Sequence, residues 1–216
     1  MTSDCARIHT WVNTLRIFNF PFDAREVPLN GMYILFERGE PAHGARRIVR
    51  VGTHTGKNQL RSRLKQHFLT ENKDRSIFRK NIGRCMLHKA KDSFLKKWEL
   101  DLTSKLAREK YASSVNFAKQ RMVEREVSKY IQGSFSFIVL QIEDKAARLE
   151  LESKIISTVS LCKVCKPSKK WLGRYSPKEK IRISGLWLVN ELYKKPLSVR
   201  DFQKLKECAE KNKIYA

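Results

Sequence analysis

The sequence contains no uninterrupted apolar run of about 18 residues, so a membrane-spanning helix is not expected. It has no internal repeat and no low-complexity tail, which argues against a solenoid or an unstructured appendage. The opening residues, MTSDCARIHTWV, carry an early aspartate and lack the basic-then-apolar layout of a secretory leader, so the expected location is cytoplasmic, or nucleoid-associated in a bacterium. Five cysteines are an odd number for a disulfide framework and fit reduced thiols. Acidic residues are the scarcest feature: 22 Asp and Glu stand against 45 Lys and Arg, a formal charge of +23. That excess goes well beyond what solubility requires and creates self-repulsion unless a polyanion relieves it. Nucleic acid is the first such partner, because neutralising phosphates releases counterions; an anionic membrane surface is the second.

With 216 residues, of which 41% are apolar, the chain can bury one sizeable core, and a single domain is expected. Apolar spacing predicts a helix from Ser3 to about Phe18, through Ile8, Trp11, Val12 and Leu15. Met32 to Glu37 and Ile48 to Thr53 read as the strands of a hairpin across a loop from Gly39 to Ala45. Leu60 to Leu69 reads as a helix with Leu60, Leu64 and Phe68 inward. The charged middle, Asn72 to Gln132, reads as helical, with a short amphipathic segment from Val123 to Ile131 ending at Gly133. FSFIVLQI, from Phe135, is the most strand-like run. A helix from Ala146 to about Val159 follows, then a loop, an apolar packing run SGLWLVNEL, and a closing helix capped by Ser198. Three strands with helices on their faces define a small α/β or α+β core.

Several groups carry chemical promise. Tyr33 lies on the first hairpin strand, and Arg50 and His54 lie on or just after the second. Arg63 and His67, one helical turn apart, face one way. Arg75, Arg79, Lys80 and Arg84 suggest a basic helical stripe, Lys57 and Arg61 add cations near the hairpin, and Lys169, Lys170 and Trp171 join two cations to an aromatic. Together they form the expected nucleic-acid surface. Cys162-Lys-Val-Cys165 has no second C-x-x-C pair to complete a zinc shell, so buried thiols are the preferred reading. No RNA-recognition motif is visible.

Gly31-Met32-Tyr33 resembles the first signature of the GIY-YIG nucleases, and Arg50-Val51-Gly52 occupies the place of the second. LRSRLKQHF is similar to the family's following helix, with Arg63 and His67 at its arginine and histidine positions. LELESKII is similar to the helix bearing the family's metal-binding glutamate, at Glu152. RVGTH, SIFRKNIGR and WLGRYSP…SGLW resemble a bacterial stand-alone branch of the family. The second signature's tyrosine is replaced by Arg50, and the asparagine expected soon after the glutamate is not evident; Asn190 is distant in sequence.

The resemblance implies a small, mainly antiparallel three-stranded sheet flanked by helices, with core residues 29–70 and 134–160. Residues 71–133 would form a helical insertion and 161–216 a C-terminal substrate-binding and packing segment. It implies hydrolysis of phosphodiesters, most readily in double-stranded DNA, with one Mg²⁺ or Mn²⁺ ion held by Glu152. Arg63 would clamp the scissile phosphate, and His67 would orient the water or share the base role. Tyr33 would be the base; a free phenol titrates near about 10, and a cation such as Arg50 beside it would favour the phenolate. His54 is a third candidate base. The implied setting is restriction, defence or repair, with a dimer or two successive nicks needed to cut both strands. The alternatives are a catalytically silent basic binding module on the same fold and an RNA nuclease.

Overall fold

The computed structural model describes residues 3–213. Helix α1 (Asp4–Val12) opens where Ser3 Oγ accepts the Ala6 N–H at 3.2 Å, with Asp4 in the positively polarised first turn. It is shorter than the spacing out to Phe18 predicts. Asn13 closes it, with Nδ2 donating to His9 O at 2.9 Å and to Arg46 O at 3.2 Å, and Oδ1 accepting the Arg46 N–H at 3.2 Å. The chain thus leaves the helix to hold an edge of the sheet. Phe18 instead begins a two-residue strand, β1 (Phe18–Asn19).

The hairpin strands are longer than expected: β2 (Gly31–Ala42) and β3 (Ala45–Gly52) meet at a two-residue turn, His43-Gly44. Both turn residues have positive φ, 53° and 73°, the twist that suits a tight hairpin. Strand β4 (Phe135–Gln141) inserts between β1 and β2. The antiparallel sheet has four strands, ordered β1-β4-β2-β3. Tyr33 pairs with Gly52 and Leu35 with Arg50, but Phe36 pairs with Ile48. Val49 is therefore an extra residue, a β-bulge. It turns Arg50 and Gly52 to the face of Tyr33 and leaves Ile48 and Val51 on the other.

Two glycines explain the signatures sterically. A Cβ on Gly31 would overlap the Leu140 carbonyl of β4, and a Cβ on Gly52 would overlap the Tyr33 phenol oxygen. The first glycine lets the strands approach. The second makes room for the tyrosine.

Helices cover both faces. On the Tyr33 face lie α2 (Leu60–Phe68), α3 (Ile77–Lys89), the short α4 (Leu95–Trp98) and α6 (Phe117–Ser134), with the exposed α5 (Lys105–Tyr111) before α6. Leu60, Leu64, Phe68, Phe78, Ile82, Val127 and Ile131 bury Leu35, Phe135 and Phe137 there. On the opposite face α1, α7 (Lys145–Leu161) and α9 (Val199–Lys213) place Ile8, Leu151, Ile155 and Leu205 against Met32, Ile34, Ile138 and Leu140. The result is a three-layer α+β core. Helix α6 passes through Gly133 rather than ending at it. That glycine is on the exposed side, costs about 1 kcal/mol relative to alanine, and is outweighed by the buried stripe Val123, Val127 and Ile131. After α7 a loop, a single 3₁₀ turn (Leu172–Tyr175) and α8 (Glu179–Ser184) lead to Gly185, in the left-handed region that ends α8. The apolar run that follows crosses the open edge of β3, where Trp187 N–H donates to Val49 O at 2.8 Å.

Candidate active site

Tyr33 is fully buried on β2. Its phenol oxygen lies 2.7 Å from His67 Nε2, and Arg50 Nε–H donates to the same oxygen at 3.4 Å. His67 Nδ1 lies 2.7 Å from Ser76 Oγ, and that hydroxyl caps α3 by accepting the Arg79 N–H at 3.2 Å. Strand, helix α2 and the start of α3 are therefore joined by one chain of polar contacts. Burial holds the His67 imidazole well below its ordinary range, and Arg50, Arg63 and Arg79 push the same way, so it is neutral. Arg50 is fixed from three sides. Its Nη1 donates to Trp187 O, its Nε to Tyr33, and its guanidinium lies over the Phe78 ring, 5.4 Å from the centroid.

Glu152 is on α7, where it meets the end of β3. Two adjoining hollows of about 350 and 430 Å³ share Arg63, Leu149 and Glu152 in their walls and form one cleft. One lobe adds Thr53, His54 and Gln66; the other adds Arg50, Asn81, Asn190 and Glu191. Burial raises the Glu152 carboxyl to about 7. Arg50, the Thr53 backbone N–H and Arg63 draw it down without overcoming that burial, and Glu191 adds repulsion. A larger hollow, about 700 Å³, lies at the far end of β2 around Glu37 to Pro41, away from these groups. There Trp171 and Trp187 both donate Nε1–H to the buried Glu37, at 2.8 and 2.7 Å.

The structure brings Arg50, Arg63, His54 and Glu152 to one cleft and sets Tyr33 and His67 directly behind Arg50. His54 is tied at both ring nitrogens. Nδ1–H donates to Gly56 O at 2.6 Å, and Nε2 accepts the Gly31 N–H at 3.2 Å. Burial, aided by the Arg148 charge, lowers its pKa. It braces the loop after β3, and neither nitrogen is left for a substrate proton.

The expected basic stripe on α3 is different. Arg79 and Lys80 are buried, Arg79 in an ion pair with Glu124 at 2.8 Å and Lys80 with Asp74 at 3.2 Å. Arg84 is paired with Glu99 and Asn81. These cations hold the insertion together, because acids from α6 and from the segments flanking α3 reach them. Arg61 is likewise engaged, donating to Val27 O at 2.6 Å and Arg25 O at 2.9 Å. Trp171 is core. Lys57, Arg75, Lys169 and Lys170 are exposed.

Asn190 was too distant in sequence to be assigned to the site, and Asn81 was not legible as a site residue; both line the cleft. Asn190 reaches the cleft because the apolar run crosses β3. Asn81 is buried, and its Nδ2 has no hydrogen-bond partner among the described residues, although the residue lines the cleft. The motif SIFRKNIGR contained it, but its cations drew the reading.

A hard divalent ion fits this donor set. A buried carboxylate gains from a cation beside it, which here would take the place of the proton that burial otherwise holds on Glu152; oxygen donors such as Thr53 line the same cleft, and a Mg²⁺-like ion keeps most of its water.

A family model described as GIY-YIG domain matches residues 5–213. The chain belongs to the GIY-YIG family, a family of nucleases. Comparisons with curated proteins and with solved structures found no match.

Proposed function

We propose that the chain is a divalent-metal-dependent endonuclease acting on double-stranded DNA, in a restriction, defence or repair setting. The observation that carries the reading is the convergence of Arg50, Arg63 and Glu152 on one cleft in a chain of formal charge +23.

Glu152 would hold one Mg²⁺ or Mn²⁺ ion, which when bound supplies Lewis-acid stabilisation of the phosphate and the leaving oxygen. The remaining work falls to the chain. Arg63, half-buried and hinged on Gln66 and the Arg75 carbonyl, binds the scissile phosphate. Arg50 faces the same phosphate and takes the place of the missing second tyrosine. Hydrolysis joins a water oxygen to phosphorus and breaks the bond to the leaving oxygen, while the water's proton passes to the protein. Tyr33 is the base we assign: its phenol oxygen takes the water's proton as its own passes to the neutral His67 Nε2, 2.7 Å away, and apo geometry often leaves such contacts to tighten around substrate. The neutral His67 orients the phenol from behind. Exposed Lys57, Arg75, Lys169 and Lys170 contact flanking phosphates.

One observation favours a silent binding module instead: Tyr33 is fully buried behind Arg50. Plasmid incubated with the chain and Mg²⁺ or Mn²⁺ decides between them. Cleavage lost in EDTA and in Glu152→Ala, with retained DNA binding, supports the enzyme. Shifted but uncut DNA in both proteins supports the module, and cleavage of RNA alone moves the substrate class.

A further inference from the structure

The second cluster of chemistry in the molecule lies on the opposite side of the sheet from Tyr33. Cys5, His9, His43 and Cys165 each offer a ligand atom, and all four atoms lie within 4.8 Å of one another. We propose that these four residues bind a structural zinc ion.

The distances suit the ion. Zn–S bonds of about 2.3 Å and Zn–N bonds of about 2.0–2.1 Å at tetrahedral angles put sulfur and nitrogen about 3.5 Å apart. Cys165 Sγ is 3.5 Å from His9 Nε2; the neighbouring Cys162 Sγ lies 3.4 Å from His43 Nε2 but stands outside the four. Cys5 and His9 share one face of α1 through their i, i+4 spacing. His9 Nδ1 lies 2.8 Å from the Cys5 carbonyl, the kind of outer contact that fixes an imidazole with Nε2 forward. Nε2 has a single lone pair, which here accepts the Ile48 N–H at 3.1 Å; the ion would take that lone pair, and the Ile48 N–H at the start of β3 would give it up. Cys162 borders the four as a fifth sulfur.

The hairpin turn supplies an independent sign. A turn with both residues at positive φ normally takes Asn-Gly, yet His43 occupies the first position with φ 53°. A histidine held there presents its ring to His9, the two centroids 5.1 Å apart. Three of the four residues are buried, which ordinary free thiols and imidazoles tolerate, but four such groups from three separate segments facing one point are a ligand shell. The C-x-x-C pair completes no shell by itself. The missing ligands are Cys5-x-x-x-His9 and a turn histidine, far away in sequence. The bound ion would fasten α1 and the loop after α7 to the β2–β3 turn.

The test measures metal in the intact chain purified from zinc-supplemented medium. One zinc per chain by elemental mass spectrometry is expected, together with a cobalt derivative showing thiolate charge-transfer absorption. Chelation should lower the melting temperature. His43→Asn, which keeps the turn, and Cys165→Ser should lose the cobalt spectrum, while Cys162→Ser and Cys208→Ser keep it. Glu152→Ala should keep the zinc, which separates this ion from the one in the cleft. A wild-type chain that takes up no zinc on titration, or a Cys5–Cys165 disulfide in its mass map, overturns the proposal. So does a zinc ion that survives both His43→Asn and His9→Asn, or one lost with Cys162→Ser alone.

Discussion

Glu152→Gln should stabilise the metal-free protein at alkaline pH. Folding raises the carboxyl from an ordinary 4.5 to about 7. The folded state therefore binds this proton more tightly than the unfolded state, and stability falls as pH rises from about 4.5 through 7. At 1.36 kcal/mol for each tenfold step, the full span is worth about 3.4 kcal/mol. Water in the cleft screens the charge and trims this to about 2–3 kcal/mol. Glutamine keeps the shape and never ionises. Urea unfolding in EDTA at pH 8 should give the variant about 2–3 kcal/mol more stability than wild type, with the two converging at pH 4. A divalent ion should narrow the gap at pH 8 by stabilising only wild type. Equal stability of the two proteins at pH 8 in EDTA would refute the account of Glu152 as a carboxyl held high by burial.

Other outcomes follow from the same geometry. Gly52→Ala forces a methyl into the Tyr33 phenol and should cost about 1–3 kcal/mol in thermal or urea unfolding, with loss of cleavage. Tyr33→Phe should lower single-turnover cleavage by roughly 10²–10⁴-fold while leaving DNA affinity unchanged. Arg79→Ala strands the buried Glu124 and should cost about 3–5 kcal/mol in stability. Replacing both Lys169 and Lys170 with alanine should instead leave stability intact and flatten the dependence of log affinity on log salt by about 1–2.

The hairpin, α2 and the signature residues were legible because their information is local. Tyr33, Gly52, Arg63 and His67 sit within one short stretch whose periods fix their faces. The second tyrosine's replacement by Arg50 was also visible, but its direction depended on the bulge at Val49, which alternation alone misplaces. The basic stripe of α3 was misread for a related reason. Helical spacing shows that Arg79, Lys80 and Arg84 stand near one another, and does not show that Glu124, Asp74 and Glu99 come to meet them from other segments. Asn190 entered the cleft through a long return across the sheet edge, and Cys5, His9 and His43 joined Cys165 only through tertiary folding. The extra strand β1 is two residues long, too short to carry a period.

The position of β4 has a consequence for synthesis. This strand lies between β1 and β2, yet it arrives about a hundred residues after β2 begins. During translation the N-terminal elements emerge first, and the sheet waits for an interior strand that has not yet been made. Arg50 waits longer still, because its carbonyl anchor belongs to Trp187. High contact order of this kind slows folding. It also means that a ribosome-bound fragment carries Tyr33, Arg63 and His67 without the fixed Arg50 or the completed cleft, so the arrangement assembles only when nearly the whole chain is present.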